Sequence, residues 1–276
     1  MRRFRFPWLV CLAVFAVFAV FDAGAAGLRS AGDAGDAGAE LVSLTSEDRQ
    51  GMRAYYAKAS RPGHFEIELR LLDPVNVRAR PELPYRIPVS GKQPGFVVLI
   101  EPIDASLAAS YGLGLKALPG RPMRASDAVP YRYAVPLGAG MPARIDQGPN
   151  GPTHDRPQSR YAMDFAVPDG TPVVAARGGL VVDLAMGYTE GALDPALDGK
   201  ANVVRIEHDD GTMALYAHLA PHSERVRLGD RVVAGQRLAD SGHTGYASGP
   251  HLHFAVQVNE DFELVSIPFE LAATTR

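Results

Sequence analysis

Residues 248–256 read SGPHLHFAV, a loop that leads into a strand. Ser248-Gly249-Pro250 has the composition of a turn, and apolar residues, several of them β-branched or aromatic, continue to Val258. Because residues two apart on a strand share a face, we expect His251 and His253 to project together. Two imidazoles on one stiff strand suit a metal site, with one histidine as ligand and the other acting on water or substrate. The alternative is a pair of ordinary histidines at the start of a strand.

The composition favours a β-rich protein. The chain has 276 residues, enough for one large domain or two ordinary ones. It contains 28 glycines and 22 prolines, so turns must be frequent, which favours many short strands over long helices. The formal net charge is -3, and no basic tract follows the first few residues. A nucleic acid is therefore not an expected partner.

Residues 1–25 have the layout of a secretory signal peptide. Three of the first five residues are arginine, residues 8–21 are apolar and uncharged, and residues 23–25 read AGA, a suitable cleavage site. Cleavage would remove Cys11, the only cysteine, so a metal in the mature protein must be held by histidine and carboxylate side chains. No stable membrane insertion is expected after cleavage. An uncleaved membrane anchor is the alternative.

The rest of the chain divides into three parts by composition. Residues 26–44 are rich in Ala, Gly and Asp and are expected to form a flexible linker. Residues 45–139 carry several alternating strands and are expected to form an N-terminal β-rich domain. A short helix is also compatible with residues 41–60. Residues 140–276 are expected to form a second β-rich domain, in which the Gly-, Asp- and Pro-rich loop 186–200 is long enough to be a cleft wall.

Three further polar residues could contribute to a site in the second domain. Asp164 lies in an otherwise apolar strand predicted over residues 161–167, where burial of an unpaired carboxylate is unfavourable. Its same-face neighbours are small and leave room for a cation, although a salt bridge or a hydrogen-bonded turn would also explain it. His154 lies in a Gly/Pro loop, and His218 ends a strand, where a surface histidine is the alternative. His208 precedes a turn and is expected to face solvent.

Taken in order, four segments resemble the LytM/lysostaphin-type zinc endopeptidases, which cut peptides in bacterial cell walls. They are 153–154 (TH) with 161–165 (YAMDF), 169–173 (DGTPV), 216–219 (YAHL), and 241–245 (SGHTG) with 249–254 (GPHLHF). Residues 133–136 (YAVP) and 147–148 (QG) resemble the lead-in of a periplasmic branch with an N-terminal β-domain. The resemblance implies a small β-sandwich-like domain followed by an antiparallel β-sheet catalytic domain related to the barrel-sandwich folds.

The resemblance also implies a zinc ion held by His154, Asp164 and His253. In the short form of the family motif the first histidine precedes the aspartate by four residues, and here that position is Arg160. An arginine cannot ligate zinc. The branch with a longer insertion places the histidine further upstream, which fits His154. Two imidazoles and one carboxylate leave a fourth tetrahedral position for water, as a catalytic zinc site requires.

The resemblance further implies an exported, periplasmic or secreted bacterial enzyme that hydrolyses peptide cross-links of peptidoglycan. His251 and His218 are then the catalytic histidines. His251 would take the proton of the zinc-activated water. His218 would stabilise the oxyanion or orient the water. The peptide bond that is cut and the oligomeric state are not predicted by the sequence.

Two other functions remain open. One is a non-catalytic LytM-like regulator or adaptor of another wall hydrolase. Such domains typically lack several of the five polar residues, all of which are present here. The other is a module that binds the wall without hydrolysing it. A measurement of zinc content would distinguish this module from the enzyme.

Overall fold

The computed structural model describes residues 15–21 and 41–273, and nearly all of their regular structure is β-strand. These residues divide into two compact units. The first unit comprises residues 15–21, 41–60 and 65–117, and the second comprises residues 61–64 and 118–273. The mainly β architecture confirms the fold class predicted from the sequence.

The first unit consists of two four-stranded sheets, ordered β1-β8-β4-β6 and β2-β3-β7-β5. Both sheets contribute buried side chains to one apolar core, among them Phe65, Ile67 and Leu69 of β4 and Val98 of β7. Phe65, Ile67 and Leu69, which alternate along β4, therefore help to fill a sandwich-like core. The strands are β1 (Phe15–Phe21), β2 (Val42–Arg49), β3 (Met52–Ala59), β4 (His64–Val75), β5 (Val77–Arg80), β6 (Tyr85–Ser90), β7 (Gly95–Pro102) and β8 (Ala109–Pro119).

The short helix considered for residues 41–60 is wrong. Strands β2 and β3 pair antiparallel along their whole length, from Val42 opposite Ala59 to Arg49 opposite Met52. The two residues between them, Gln50 and Gly51, have φ angles of 51° and 81°. Positive φ at both central positions is what a type I′ hairpin turn requires, so this two-residue turn joins the strands directly.

The predicted signal peptide (1–25) and linker (26–44) lie largely outside the described residues. Within them, Phe15–Phe21 forms β1, which pairs antiparallel with β8, and β2 begins at Val42. Both segments stay predictions. In the part of the chain that the structure describes, no helix has the length and apolar character needed to cross a membrane.

The second unit is built on an eight-stranded sheet, ordered β10-β11-β20-β16-β15-β13-β17 with β21 paired to β20. Its paired strands are antiparallel, and β12–β18, β14–β19 and β22–β9 form small separate sheets. Two short 3-10 helices cover Ala125–Asp127 and Pro195–Leu197. The strands are β9 (Arg132–Tyr133), β10 (Ile145–Gln147), β11 (Met163–Phe165), β12 (Pro172–Val174), β13 (Gly179–Ala185), β14 (Gly191–Ala192), β15 (Val203–Glu207), β16 (Met213–Ala217), β17 (Arg231–Val232), β18 (Arg237–Asp240), β19 (Gly245–Tyr246), β20 (Leu252–Glu260), β21 (Glu263–Ser266) and β22 (Glu270–Leu271).

Strand β20 lies inside this sheet, between β11 and β16. Leu252, Phe254 and Val256 are fully buried in the core of the second unit. Since side chains alternate along a strand, the same pleat places His251 and His253 on the opposite face, as the sequence predicted. The core thus fixes the histidine-bearing strand.

The last residue of the first compact unit is residue 117. Tyr133 and Leu137 are buried in the core of the second unit. Strand β9, which contains Tyr133, pairs with β22 near the end of the described chain. This long-range pairing assigns residues 118–139 to the second unit; the predicted border of the peptidase-like domain itself stays a prediction.

His208 is buried, so the expectation that it faces solvent is wrong. Only 2% of the residue is exposed. Its Nδ1 donates to the carbonyl of Gly178 at 2.8 Å, and its ring packs against Tyr133. Burial lowers the pKa of His208 to about 4. The folded protein therefore holds this imidazole in its neutral form.

We expect His208 to make the protein less stable in mild acid. Its pKa is lower in the folded state than the ordinary value of 6.5, so the unfolded chain binds the proton more readily. The contribution to stability is complete above the unfolded pKa and is lost as the pH falls towards the folded pKa, with a limit of about 3 kcal/mol. Urea unfolding of wild type and His208→Asn across this range measures the effect. Asn keeps a donor but does not titrate, so its free energy of unfolding should fall less.

The exposed His222 provides the matched control. His222→Asn should retain the wild-type loss of stability with falling pH. The same loss in wild type and His208→Asn would show that His208 is not the buried group responsible.

Candidate metal centre and active site

Two paired strands and one loop bring three potential ligands together. In the β11–β20 pairing, Asp164 lies directly opposite His253. His154, in the loop between β10 and β11, is only 2% exposed. One ligand atom from each of the three side chains lies within 4.8 Å of the others. Sheet register therefore joins residues that are 89 positions apart in the sequence.

The Asp164 carboxylate is the centre of this group. Its Oδ1 lies 2.8 Å from His253 Nδ1, and its Oδ2 lies 3.2 Å from His154 Nε2. Gln147 Nε2 donates a hydrogen bond to the same Oδ2 at 3.0 Å. Burial by itself would raise the pKa of Asp164, but its contacts with His154 and His253 outweigh burial and hold that pKa well below its usual range. The carboxylate is thus ionised and can bind a cation.

The orientation of His154 suits a metal ligand. Its Nδ1 lies 2.9 Å from the carbonyl oxygen of Gly148, an acceptor, so Nδ1 carries the proton. In the neutral ring Nε2 is then a lone pair, and it is buried with no hydrogen-bond partner among the described residues. This lone pair faces an oxygen of Asp164. Two facing electron pairs repel unless a cation lies between them. Without a metal that cation is a proton on Nε2: burial alone would lower the pKa of His154, but the Asp164 carboxylate outweighs burial and raises it. A metal ion can take the place of this proton, so the residues present fit a bound metal ion.

His218 and His251 lie beside these ligands. His218 follows β16 at Ala217, which is paired with His253. Gly242 joins the two backbones, because its N–H donates to His218 at 2.9 Å and its carbonyl accepts from the N–H of His251 at 3.2 Å. The two rings are 4.5 Å apart between centroids. A Cβ at Gly242 would lie 2.8 Å from the backbone of Ala220, so glycine allows this close approach.

Backbone carbonyls also fix the tautomers of these two histidines. His218 Nδ1 lies 2.7 Å from the carbonyl of Thr244, and His251 Nδ1 lies 2.9 Å from that of Gly249. Each Nδ1 therefore donates, which leaves each Nε2 as the acceptor of a neutral ring. Burial, followed by the neighbouring His251 and His253, lowers the pKa of His218 to about 3.

Residues 158–263 match the family model described as peptidase family M23. The chain carries an M23 peptidase domain. The resemblance inferred from the four sequence segments is thereby confirmed. The matched span contains Asp164, His218, His251 and His253, and it begins after His154.

Known relatives are similar over this domain. Lysostaphin of Staphylococcus simulans is 37% identical over 112 residues, which are 41% of this chain and 20% of that protein. Peptidoglycan DD-endopeptidase ShyA of Vibrio cholerae is 33% identical over 127 residues, 46% of this chain and 27% of that protein. The solved catalytic domain of lysostaphin from Staphylococcus simulans is 31% identical, with 47% of this chain and 78% of that chain covered and a TM-score of 0.30. The chain spans about a quarter of the length of the curated relatives it matches.

The structure places all five sequence-predicted site residues in one cluster of the second unit. Ring centroids are 5.3 Å apart for His154 and His253, and 5.9 Å apart for His218 and His253. The chemical roles of the five residues stay predictions. Arg160, which occupies the histidine position of the short motif, is exposed.

Two residues that support the cluster have no predicted role in the sequence. The contact of Thr244 with His218 uses a backbone carbonyl, which every residue type possesses, so no sequence signal could have identified it. In the sequence, Gln147 belongs only to a segment that resembles a family lead-in, whereas in the structure its side chain contacts Asp164. Its position opposite Asp164 in the β10–β11 pairing depends on register and is not visible in the local sequence.

The loop 186–200 is attached next to His218 and His251. Its strand β14 pairs in parallel with β19, which directly follows Thr244. The fully buried Asn202 anchors the loop at Tyr188. Its side chain accepts a hydrogen bond from the N–H of Tyr188 and donates one to the carbonyl of Tyr188, both at 2.8 Å. Asn202 N–H also donates to Thr244 Oγ1 at 3.0 Å. A role for this loop as the cleft wall stays a prediction.

Proposed function

We propose that the protein is an exported zinc metalloendopeptidase that hydrolyses peptide cross-links of peptidoglycan. The observation that carries the proposal is the His154, Asp164 and His253 cluster beside His218 and His251, four of which lie within the M23 match. Similar proteins named lysostaphin and peptidoglycan DD-endopeptidase support the substrate class. The complete set of five polar residues argues against a degenerate adaptor. Export rests on the signal-peptide layout of residues 1–25.

Zinc would be held by His154 through Nε2, by His253 through Nδ1 and by the Asp164 carboxylate. Two imidazoles and one carboxylate are a donor set typical of catalytic zinc, with one tetrahedral position left for water or substrate. When bound, zinc supplies a Lewis acid for the scissile carbonyl and lowers the pKa of a water molecule.

His251 is the general base in this proposal. Its Nδ1–H is engaged by the carbonyl of Gly249, so Nε2 is the atom that accepts the proton of the attacking water. The same nitrogen can return that proton to the leaving amine of the peptide. A fixed tautomer means that no ring rearrangement precedes either transfer.

The tautomer of His218 favours one of its two predicted roles. Because Nδ1–H is already donated to Thr244, Nε2 of the neutral ring can accept a hydrogen bond but cannot donate one. An acceptor beside His251 can orient the attacking water, whereas oxyanion stabilisation needs a donor. We therefore assign His218 to the orientation of water.

Digestion of purified peptidoglycan sacculi tests the proposal. The mature protein should release soluble muropeptides, identifiable by mass, and the masses would identify the bond that is cut. Chelation should abolish release and added zinc should restore it, because the donor set alone cannot activate water near neutral pH. Zinc-loaded protein that releases nothing from sacculi would contradict the proposed function.

A further inference from the structure

We propose that Gln147 is a positioning residue for the metal centre. Its side chain holds both Asp164 and the loop of His154 in the ligating geometry. The inference rests on the proposed function, because it concerns the same metal. Gln147 lies outside the part of the chain that the M23 family model matches.

The first contact fixes the carboxylate. Gln147, at the end of β10, lies opposite Asp164 in the β10–β11 pairing and donates from Nε2 to Oδ2 at 3.0 Å. The other oxygen, Oδ1, faces His253. With both oxygens engaged, rotation of the carboxylate about its terminal bond is restricted before a metal binds. Hydrogen bonds to a ligating carboxylate are known to tune metal affinity in this way.

The second set of contacts fixes the loop that carries His154. The Gln147 amide donates to Thr153 Oγ1 at 2.6 Å, and its Oε1 accepts from the N–H of Thr153 at 3.3 Å. Thr153 directly precedes His154. The next residue after Gln147, Gly148, provides the carbonyl that sets the tautomer of His154. Residues 147 and 148 therefore act on two of the three ligands at once.

The absence of a side chain at Gly151 leaves space for the side chain of Gln147. A Cβ at that position would lie 2.2 Å from Cγ of Gln147, far inside van der Waals contact, so glycine is required while Gln147 keeps its place. The amide is also neutral, so it orients Asp164 without cancelling the negative charge that a cation needs. A lysine or arginine at the same place would compete with the metal for the carboxylate.

Zinc affinity of the metal-stripped full chain tests the inference. The dissociation constant is measured by competition with a chromogenic chelator for wild type and Gln147→Met, which keeps the side-chain length but has no N–H donor. We expect binding to weaken about 10- to 100-fold. The absorption spectrum of the cobalt-loaded variant should also change, because the carboxylate is no longer oriented. The melting temperature of the metal-free protein is recorded for both.

Gly151→Ala is the second variant, since its methyl group displaces Gln147 without removing it. It should weaken zinc binding in the same direction, and it decides the question if Gln147→Met does not fold. Gly187→Ala is the matched control, because a Cβ there would meet no atom of the described residues within 4 Å. Its zinc affinity should equal that of wild type.

The outcomes separate this inference from the proposed function. Unchanged zinc affinity in Gln147→Met or Gly151→Ala, with or without a lower melting temperature, overturns the positioning role and leaves the function standing. Zinc-loaded wild type that cuts no sacculi overturns the function, while weakened binding in the variants still supports the positioning role. A wild type that binds no zinc overturns both.

Discussion

Asp164→Ala should lose its zinc and, with it, almost all peptidase activity. Asp164 is the anionic member of the proposed ligand set, and it lies within 3.2 Å of the ring nitrogens of both His154 and His253. Removing it leaves two neutral imidazoles without the charge that offsets a divalent cation. The loss of affinity should exceed the about 10- to 100-fold change typical for a residue that only supports a ligand. Elemental analysis of protein purified without added metal measures the zinc per chain.

His253→Ala should behave in the same way, because it removes a ligand from the opposite position of the β11–β20 pairing. His154→Ala tests the ligand that lies outside the family match, with Arg160→Ala as its control. Arg160 occupies the alternative motif position but is exposed, so its variant should keep full zinc. Full zinc in both Asp164→Ala and His253→Ala would show that the ligands are assigned wrongly.

Local periodicity explains why the sequence predicted the strand that carries the site. Leu252, Phe254 and Val256 fill the core, and a period of two then determines the face on which His251 and His253 lie. This inference needs no knowledge of neighbouring strands. The site residues themselves came from a resemblance carried by short ordered segments, each readable without the fold.

Non-local geometry explains what the sequence did not predict. Whether Gln147 or any other residue lies opposite Asp164 is decided by the register of β10 on β11. The burial of His208 depends on Tyr133, which lies 75 positions earlier in the chain. The missed β2–β3 hairpin has a different cause, because its turn at Gln50 and Gly51 was a local signal that the helix interpretation overlooked.

Replacing His218 or His251 should abolish most catalysis while zinc remains bound. Asn is the better substitution at position 218, because the backbone there has a φ of 60°, which Asn tolerates better than Ala. The Asn amide can still donate to the carbonyl of Thr244, so the variant removes chiefly the Nε2 acceptor. His251→Ala removes the proposed base. Each change should lower the rate by about a hundredfold to ten-thousandfold, the usual contribution of one positioned acid–base group.

The measurement is release of soluble muropeptides from sacculi at matched zinc occupancy. His222→Asn is the matched control, since His222 is exposed and also has a positive φ, 53°; it should retain wild-type release. The double variant should lose less than the product of the two single losses, because both histidines act on the same water in one transition state. Equal release by wild type, His218→Asn and His251→Ala would remove both histidines from the mechanism. Loss of zinc from either variant would instead make that histidine part of the metal centre.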